Sequence, residues 1–359
     1  MLLVAAGKAH NQAAYFRIFG RSCAITIQNR RVFIKQRPNG TPIIDDFGIE
    51  DVLIDDVPAG HIVVKVDTLS MDAWIRTTLN EEGMHRTGEI GTTIRALGVG
   101  QIVESQSDSL AVGDWVYGLM SAQTHALLPA DEATKIVPEE GIPASAFAGP
   151  LGITTGLTAW VGLIAVGEVQ DNDVVVVSGA AGAVGSIVVQ LVKARGAIVI
   201  GIAGGPDKCK YLTDELGADI AIDYKNCDVA EELKKAAPDG VNVFFDNVGG
   251  EILDNVLDNL AASDARVVIC GAISQYQHLA DVRGPKLYLR LAERNASMRG
   301  FVVSHYEAQY PKAIEEISDL LRSGKLSLPE HVVEGIDGFP DALFMLFNGA
   351  HIGNLVVRP

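Results

Sequence analysis

The sequence predicts an α/β chain in two parts, a β domain of short strands followed by a doubly wound parallel sheet. Three observations carry this reading. At 359 residues the chain exceeds what one ordinary hydrophobic core accommodates. Near Pro150 its texture changes, from short runs broken by turns to strands that alternate with helical patterns. Between the first strand and the first helix of the second part lies a glycine-rich turn, Gly179-Ala180-Ala181-Gly182-Ala183-Val184-Gly185.

In the first part the short apolar or alternating runs are 52–54, 61–66, 96–105, 114–119 and 126–129. Turn signals separate them, among them Pro38-Asn39-Gly40, Pro58-Ala59-Gly60 and Val112-Gly113-Asp114. Strands at that spacing suggest a barrel-like or sandwich-like domain. The second part opens on an unbroken valine run within 173–178, as expected of a strand buried on both faces. A helix follows, with Val184, Ile187, Val188, Leu191 and Val192 on one side and Gly196 as its stop. Further strands are expected over 197–203, 219–222, 241–245 and 265–271, with helices over 208–216, 229–237 and 251–260. This alternation implies a parallel sheet with helices on both faces. There is no internal repeat and no low-complexity tract.

Composition excludes several classes. Apolar residues make up 48% of the chain, yet no apolar run reaches the ~18 residues that cross a bilayer, so a soluble protein is expected. A net charge of −16 argues against a nucleic-acid partner, because phosphate binding draws on surplus Lys and Arg. Cys23, Cys209, Cys227 and Cys270 form no C-x-x-C pair and no Cys/His cluster, so no metal site is expected. Isolated thiols suit a reducing compartment, and a cytoplasmic location is expected. No acidic residue precedes Asp45, whereas Lys8, Arg17, Arg21, Arg30 and Arg31 are basic. Residues 1–28 therefore read as an organellar leader or as a poorly ordered extension; the second is expected, outside the fold.

The glycine turn carries the first functional reading. Missing side chains let the backbone bend sharply and approach a pyrophosphate, which rests on the helix N-terminus where unpaired N–H groups and the dipole favour an anion. Gly179, Ala181, Gly182, Ala183, Val184 and Gly185 are the candidate contacts, and a dinucleotide the expected ligand. The end of the second strand selects which one. An NAD site places a carboxylate there, ~20 residues on, to bond the ribose 2′-hydroxyl. Here the chain reads Ala203-Gly204-Gly205-Pro206-Asp207-Lys208. A neutral strand end followed by Lys208 favours a 2′-phosphate and hence NADPH. Asp207 is the one carboxylate near enough to bond a ribose instead.

These features together resemble the medium-chain dehydrogenase/reductase superfamily, and within it the zinc-independent NADPH-dependent alkenal/enone reductases, the prostaglandin reductase (leukotriene B4 12-hydroxydehydrogenase) type included. The resemblance runs from about Asn29 to Pro359. It is carried by Asn29-Arg30-Arg31, Leu69-Ser70-Met71-Asp72 with Arg76, the stretch Gly149-Pro150-Leu151-Gly152 to Thr158-Ala159, the glycine turn, and Phe245-Asp246-Asn247-Val248-Gly249-Gly250. Further marks are Cys270-Gly271-Ala272-Ile273-Ser274-Gln275-Tyr276, Arg299-Gly300-Phe301-Val302-Val303, Gly324-Lys325-Leu326, Glu334-Gly335 and the terminal 353–357.

The resemblance implies a GroES-like domain over 29–150 and 327–359, a Rossmann domain over 151–326, an active cleft between them, and a homodimer. It also places individual residues. Lys208 and Tyr224 fall where the family contacts the 2′-phosphate, and Asn247 where it contacts the cofactor. Cys270, Gly271, Ala272, Ile273 and Ser274, with Phe301, Val302 and Val303, match the loops beside the nicotinamide and its ribose. Tyr276 matches the tyrosine whose hydroxyl stabilises the enolate formed when hydride reaches the β-carbon of an α,β-unsaturated carbonyl. Protonation of the α-carbon by water or by Tyr276 stays open.

Two departures qualify the resemblance. After Gly113-Asp114-Trp115-Val116, an aromatic-rich family segment is replaced by Ala122-Gln123-Thr124-His125, which suggests a changed or wider substrate pocket. His351 stands where the family has a cofactor-contacting asparagine. The leading reading is an NADPH-dependent reductase of activated C=C bonds. The alternatives are a zinc-free quinone reductase and a non-catalytic NADPH-binding protein.

Overall fold

The computed structural model describes residues 26–81, 85–277 and 281–359. The expected extension lies outside these residues as far as residue 25. The first strand, β1 (Ile27–Ile34), begins two residues before the expected start of the fold. It pairs antiparallel with β2 (Phe47–Ile54) in a separate two-stranded ladder. Arg30 and Arg31 bond Asp51 and Glu50 across the ladder.

The larger sheet of the first part contains β3 (His61–Ser70), β4 (Gly98–Ser105), β5 (Trp115–Gly118), β6 (His125–Pro129) and β7 (Ala133–Ile136). A short helix, α1 (Trp74–Thr78), follows β3. Ile62, Val64 and Val66 alternate into the core, where they meet Ile102, Val116, Leu128, Leu355 and Val357. The last two residues of that set come from the other end of the chain. Strands β14 (Glu330–Glu334) and β15 (Asn354–Arg358) rejoin this sheet, whose order is β14-β15-β3-β4-β5-β7 with β6 also on β3. Residues between the two contributions therefore form an insertion with its own core.

That insertion is a six-stranded, wholly parallel sheet. In chain order its strands are β8 (Val174–Ser178), β9 (Ile198–Ala203), β10 (Ile220–Asp223), β11 (Val243–Asp246), β12 (Arg266–Ile269) and β13 (Ser297–Gly300). In space they run β10-β9-β8-β11-β12-β13, the doubly wound order of a Rossmann sheet. The valine run of β8 is explained by the period of two. Val175 and Val177 face one helical layer with Ile187 and Leu191, while Val176 faces the other with Leu233 and Val256. Full burial of each such side chain contributes about 1.5–3 kcal/mol.

Around the sheet pack α3 (Ala183–Ala194), α4 (Pro206–Asp214), α5 (Val229–Ala236), α6 (Gly250–Leu257), α7 (Leu289–Glu293) and α8 (Tyr310–Arg322). Ahead of them α2 (Thr158–Trp160) is the α-wound turn within a helical segment 153–166 whose ends are π-wound. Helix α9 (Phe339–Asn348) leads into β15. Among the described residues no helix is long and apolar enough to cross a membrane.

Strand order reverses between β8 and β11. Their carboxyl ends lie side by side there, and that crevice is where an open α/β sheet binds ligands. The glycine turn leaves β8 at this point, and the returning chain reaches it too, through a 3.0 Å bond from the Gly353 N–H to the Ala181 carbonyl.

Candidate functional site

The three glycines of the turn have separate reasons. Gly179 holds φ +59°, a left-handed conformation that admits the sharp bend out of β8. A Cβ on Gly185 would overlap the Gly179 carbonyl oxygen, so this glycine sets the close approach of α3 to the strand. At Gly182 the same Cβ would meet only that oxygen, at 3.4 Å, so packing does not require a glycine there. Its bare surface is what a ligand backbone would use. Helix α3 starts after Gly182 with no side-chain cap, which leaves its first N–H groups, those of Ala183, Val184 and Gly185, to an incoming anion. The turn fits a pyrophosphate.

No carboxylate closes β9. Beyond Ala203, a Cβ on Gly204 would lie 2.8 Å from the ring of Tyr224 and 2.9 Å from Cε of Lys225, so the bare Gly204 forms a notch into which those two side chains pack. Lys208 comes from α4, its Nζ 3.5 Å from where a Cβ of Gly349 would sit. Burial, then the charge of Lys225, hold its ammonium below the usual lysine range. Asp207, with Lys210, Tyr211 and Asp214 of α4, lines an open groove of about 340 Å³ that reaches Pro329 and His331. The nearer carboxylate, Asp223, accepts from the N–H groups of Gly205 (2.7 Å) and Lys225 (3.1 Å) and from Asn226 (2.7 Å), so it shapes the loop.

At the end of β11 a polar clamp fixes the switch point. Buried Ser178 donates to Asp246 (2.7 Å), whose carboxylate also accepts from the N–H groups of Val248 and Gly249. Asn247 donates through Nδ2 to the Ser178 carbonyl (2.7 Å). The Asp246 carbonyl accepts from Cys270 and Gly271, and those of Asn247 and Val248 accept from Ile273 and Ser274. The two loops thus move as one unit. Burial pushes the Cys270 thiol up to about 12, so it is no thiolate at neutral pH.

Tyr276 folds back over this loop, and its hydroxyl oxygen accepts the Ala272 N–H at 3.1 Å. Its own hydrogen is left to donate. Burial raises the phenol above its ordinary value, which keeps that hydrogen in place. Phe301 packs under Gly162 and edge-on to Tyr306, and Val303 joins the same core. Val302 turns outward and is 56% exposed.

His351 sits on the returning segment, only 8% exposed, with Nδ1 lacking a partner. Burial first, then the Lys208 charge, bring its pKa down to about 4. The sign follows. Between the ordinary value of 6.5 and about 4 the unfolded chain takes up a proton that the folded chain refuses. The resulting loss is at most about 3 kcal/mol as pH falls through that window. His351→Asn is therefore expected to lose less stability than the wild type from pH 7 to pH 4 in urea unfolding. Parallel pH curves for the two proteins would show that the imidazole is not buried in this way.

Residues that sequence reasoning passed over complete the site. Arg76, 1% exposed and, among the described residues, with no carboxylate in ion-pair contact, bonds Asn80, the Gly40 carbonyl (2.6 Å) and the Gln277 carbonyl (3.4 Å). Thr41 also bonds Gln277, at 2.9 Å. The first part of the chain thus grips the residue after Tyr276. Buried Asp72 accepts from Ser70, Trp74 and, across the cleft, Thr154. The 122–125 segment also has a structural task. Gln123, Thr124 and the His125 N–H all bond Asn29, which fastens β1 beside β6.

Comparison with known proteins agrees with this geometry. Residues 30–136 match the family model for the N-terminal domain of oxidoreductases, and residues 183–319 match the model described as zinc-binding dehydrogenase. A putative NADP-dependent oxidoreductase of Bacillus subtilis is 38% identical over 93% of this chain and 98% of its own length. The chain belongs to the medium-chain dehydrogenase/reductase superfamily, in its zinc-independent, NADP-dependent reductase branch. Among the described residues of this reductase, no three His, Cys, Asp or Glu side chains gather as metal ligands would. An NADP⁺-dependent 2-alkenal reductase of Nicotiana tabacum is 34% identical to the reductase over 92% of this chain and 97% of that protein. The crystal structure of CurA from Vibrio vulnificus in complex with NADPH superposes with a TM-score of 0.84 at 32% identity, covering 92% of the reductase and 98% of CurA.

Proposed function

We propose that the reductase uses NADPH to saturate the C=C bond of α,β-unsaturated aldehydes and ketones. The observation that carries this reading is the Tyr276 hydroxyl, pinned as an acceptor by Ala272 and left with one hydrogen to donate beside the switch point. When bound, NADPH supplies a hydride, which on this reading goes to the β-carbon, and a proton from water or from Tyr276 completes the α-carbon. The chain's own residues do the rest. The glycine turn and the α3 N-terminus hold the pyrophosphate, and the Gly204 notch with Lys208 and Tyr224 holds the 2′-phosphate. Asn247, the 270–274 loop, 301–303 and His351 border the remainder of the nucleotide. Tyr276 donates to the carbonyl oxygen as negative charge develops there, and the barrier falls because that charge meets a preset donor. The relatives support this, since one is a 2-alkenal reductase and another was crystallised with NADPH.

The test is a substrate panel of enals, enones and quinones with NADPH, following cofactor absorbance and identifying products. Saturated aldehydes and ketones are expected. Turnover of quinones alone would overturn the reading, and no turnover at all would favour a non-catalytic nucleotide-binding protein.

The same reading includes domain limits of 29–150 with 327–359 and of 151–326, and a homodimer. Support for the dimer comes from β13, an edge strand exposed along its length, with Tyr288, Leu289, Met298 and Val302 exposed around it. Light scattering after gel filtration is expected to give twice the chain mass, and Met298→Asp to halve it. A monomeric wild type would remove the dimer from the proposal.

A further inference from the structure

The geometry points to Lys225 as a second phosphate-binding cation of the Gly204 notch, so that a nucleotide 2′-phosphate is held between two ammonium groups, one from α4 and one from the loop after β10. This rests on the NADPH reading above, and it adds a residue that neither the glycine pattern nor the family resemblance assigns.

Lys225 packs into the notch. Its Cε lies 2.9 Å from where a Gly204 Cβ would be, beside the Tyr224 ring at 2.8 Å. Lys208 is close enough for the Lys225 charge to disfavour its protonation. Other lysines nearby are paired, Lys193 with Asp219, Lys210 with Asp214 and Lys235 with Glu232. Among the described residues, Lys208 and Lys225 have no carboxylate within ion-pair distance. Asp223, which feels the charge of Lys225, already accepts three hydrogen bonds from the loop. In a chain of net charge −16, these two lysines thus stand without an ion-pair partner among the described residues.

The arrangement has a physical use. A phosphate monoester carries about −1.5 to −2 at neutral pH, so one lysine leaves roughly half of that charge unbalanced. A second ammonium brings the notch near neutrality, and the dianion relieves the repulsion between the lysines. A ribose hydroxyl does neither. Selectivity for the phosphorylated nucleotide is then shared by both lysines, with the Tyr224 hydroxyl beside them.

The experiment uses two nucleotide fragments that lack nicotinamide, adenosine 2′,5′-bisphosphate and ADP, titrated calorimetrically into the wild type, Lys225→Met and Lys208→Met. The wild type is expected to prefer the bisphosphate. In Lys225→Met the bisphosphate should weaken by about tenfold, with a shallower salt dependence, and ADP by less than about twofold. If the wild type does not discriminate, the NADPH reading fails and Lys225 with it. If Lys208→Met narrows the preference while Lys225→Met leaves it intact, the Lys225 assignment alone is overturned. An equal loss for both fragments in Lys225→Met would also overturn it, because the lysine would then act on nucleotide binding in general.

Discussion

Lys208→Ala is expected to weaken NADPH binding by about a hundredfold while leaving NADH within a few-fold of the wild type. The size follows from where the ammonium lies. It is part-buried beside Gly349, and a charge-assisted bond in such a place contributes about 1.5–3 kcal/mol, more than an exposed pair. The selectivity follows from what surrounds it. No carboxylate closes β9, Asp207 lines a groove that Lys208 does not, and Asp223 is occupied by its own loop. A nucleotide with a bare ribose therefore loses little when the charge goes. The mutation also removes a cation that lowers His351, so the imidazole should titrate above about 4 in the variant. Fluorescence titration with both cofactors checks the first expectation, and NMR of the imidazole the second. Equal weakening of NADPH and NADH would show that Lys208 serves the pyrophosphate or the fold.

The second part of the chain was legible because its signals are local. An unbroken valine run, three glycines at fixed spacing and a helical apolar stripe each lie within a dozen residues. The strands and helices expected from 173 to 271 occur within a few residues of their places. What escaped was of two kinds. Strands without an apolar pattern were not seen. Arg30 and Arg31 disguise β1, and β13 is a fully exposed edge reading Ser-Met-Arg-Gly. The helical segment 153–166 was hidden by Gly152 just before it, by Gly156 and Gly162 within it, and by Thr and Ile. The other kind is contact at long range. Ser178 with Asp246, Asn29 with 123–125, and Arg76 with Gln277 join residues 68 to 201 positions apart, and nothing in either segment announces its partner. The 122–125 segment illustrates the cost. Compared position by position with a family it suggests a changed pocket, and nothing in it announces that its side chains also fasten β1.

Tyr276→Phe is expected to lower turnover by about 10²–10³ while NADPH affinity changes by less than about threefold. The substitution keeps the ring and removes one oxygen. That oxygen has two relations, and they predict different things. As an acceptor from Ala272 it holds the loop, and losing it leaves one part-buried N–H without a partner, a cost of about 1 kcal/mol to local order. As a donor, on the proposed reading, it faces charge that exists only in the transition state, so its loss falls on kcat rather than on binding. A collapse of cofactor affinity would mean that the loop role dominates and that Tyr276 is structural. The pH profile separates the two roles again. Burial raises the phenol, so activity that needs its hydrogen should hold through the ordinary tyrosine range and fall only above it. The fall comes as pH rises, because deprotonation removes the donor. In the Phe variant the residual activity has no such group to lose, and its alkaline limb should be flat where that of the wild type descends.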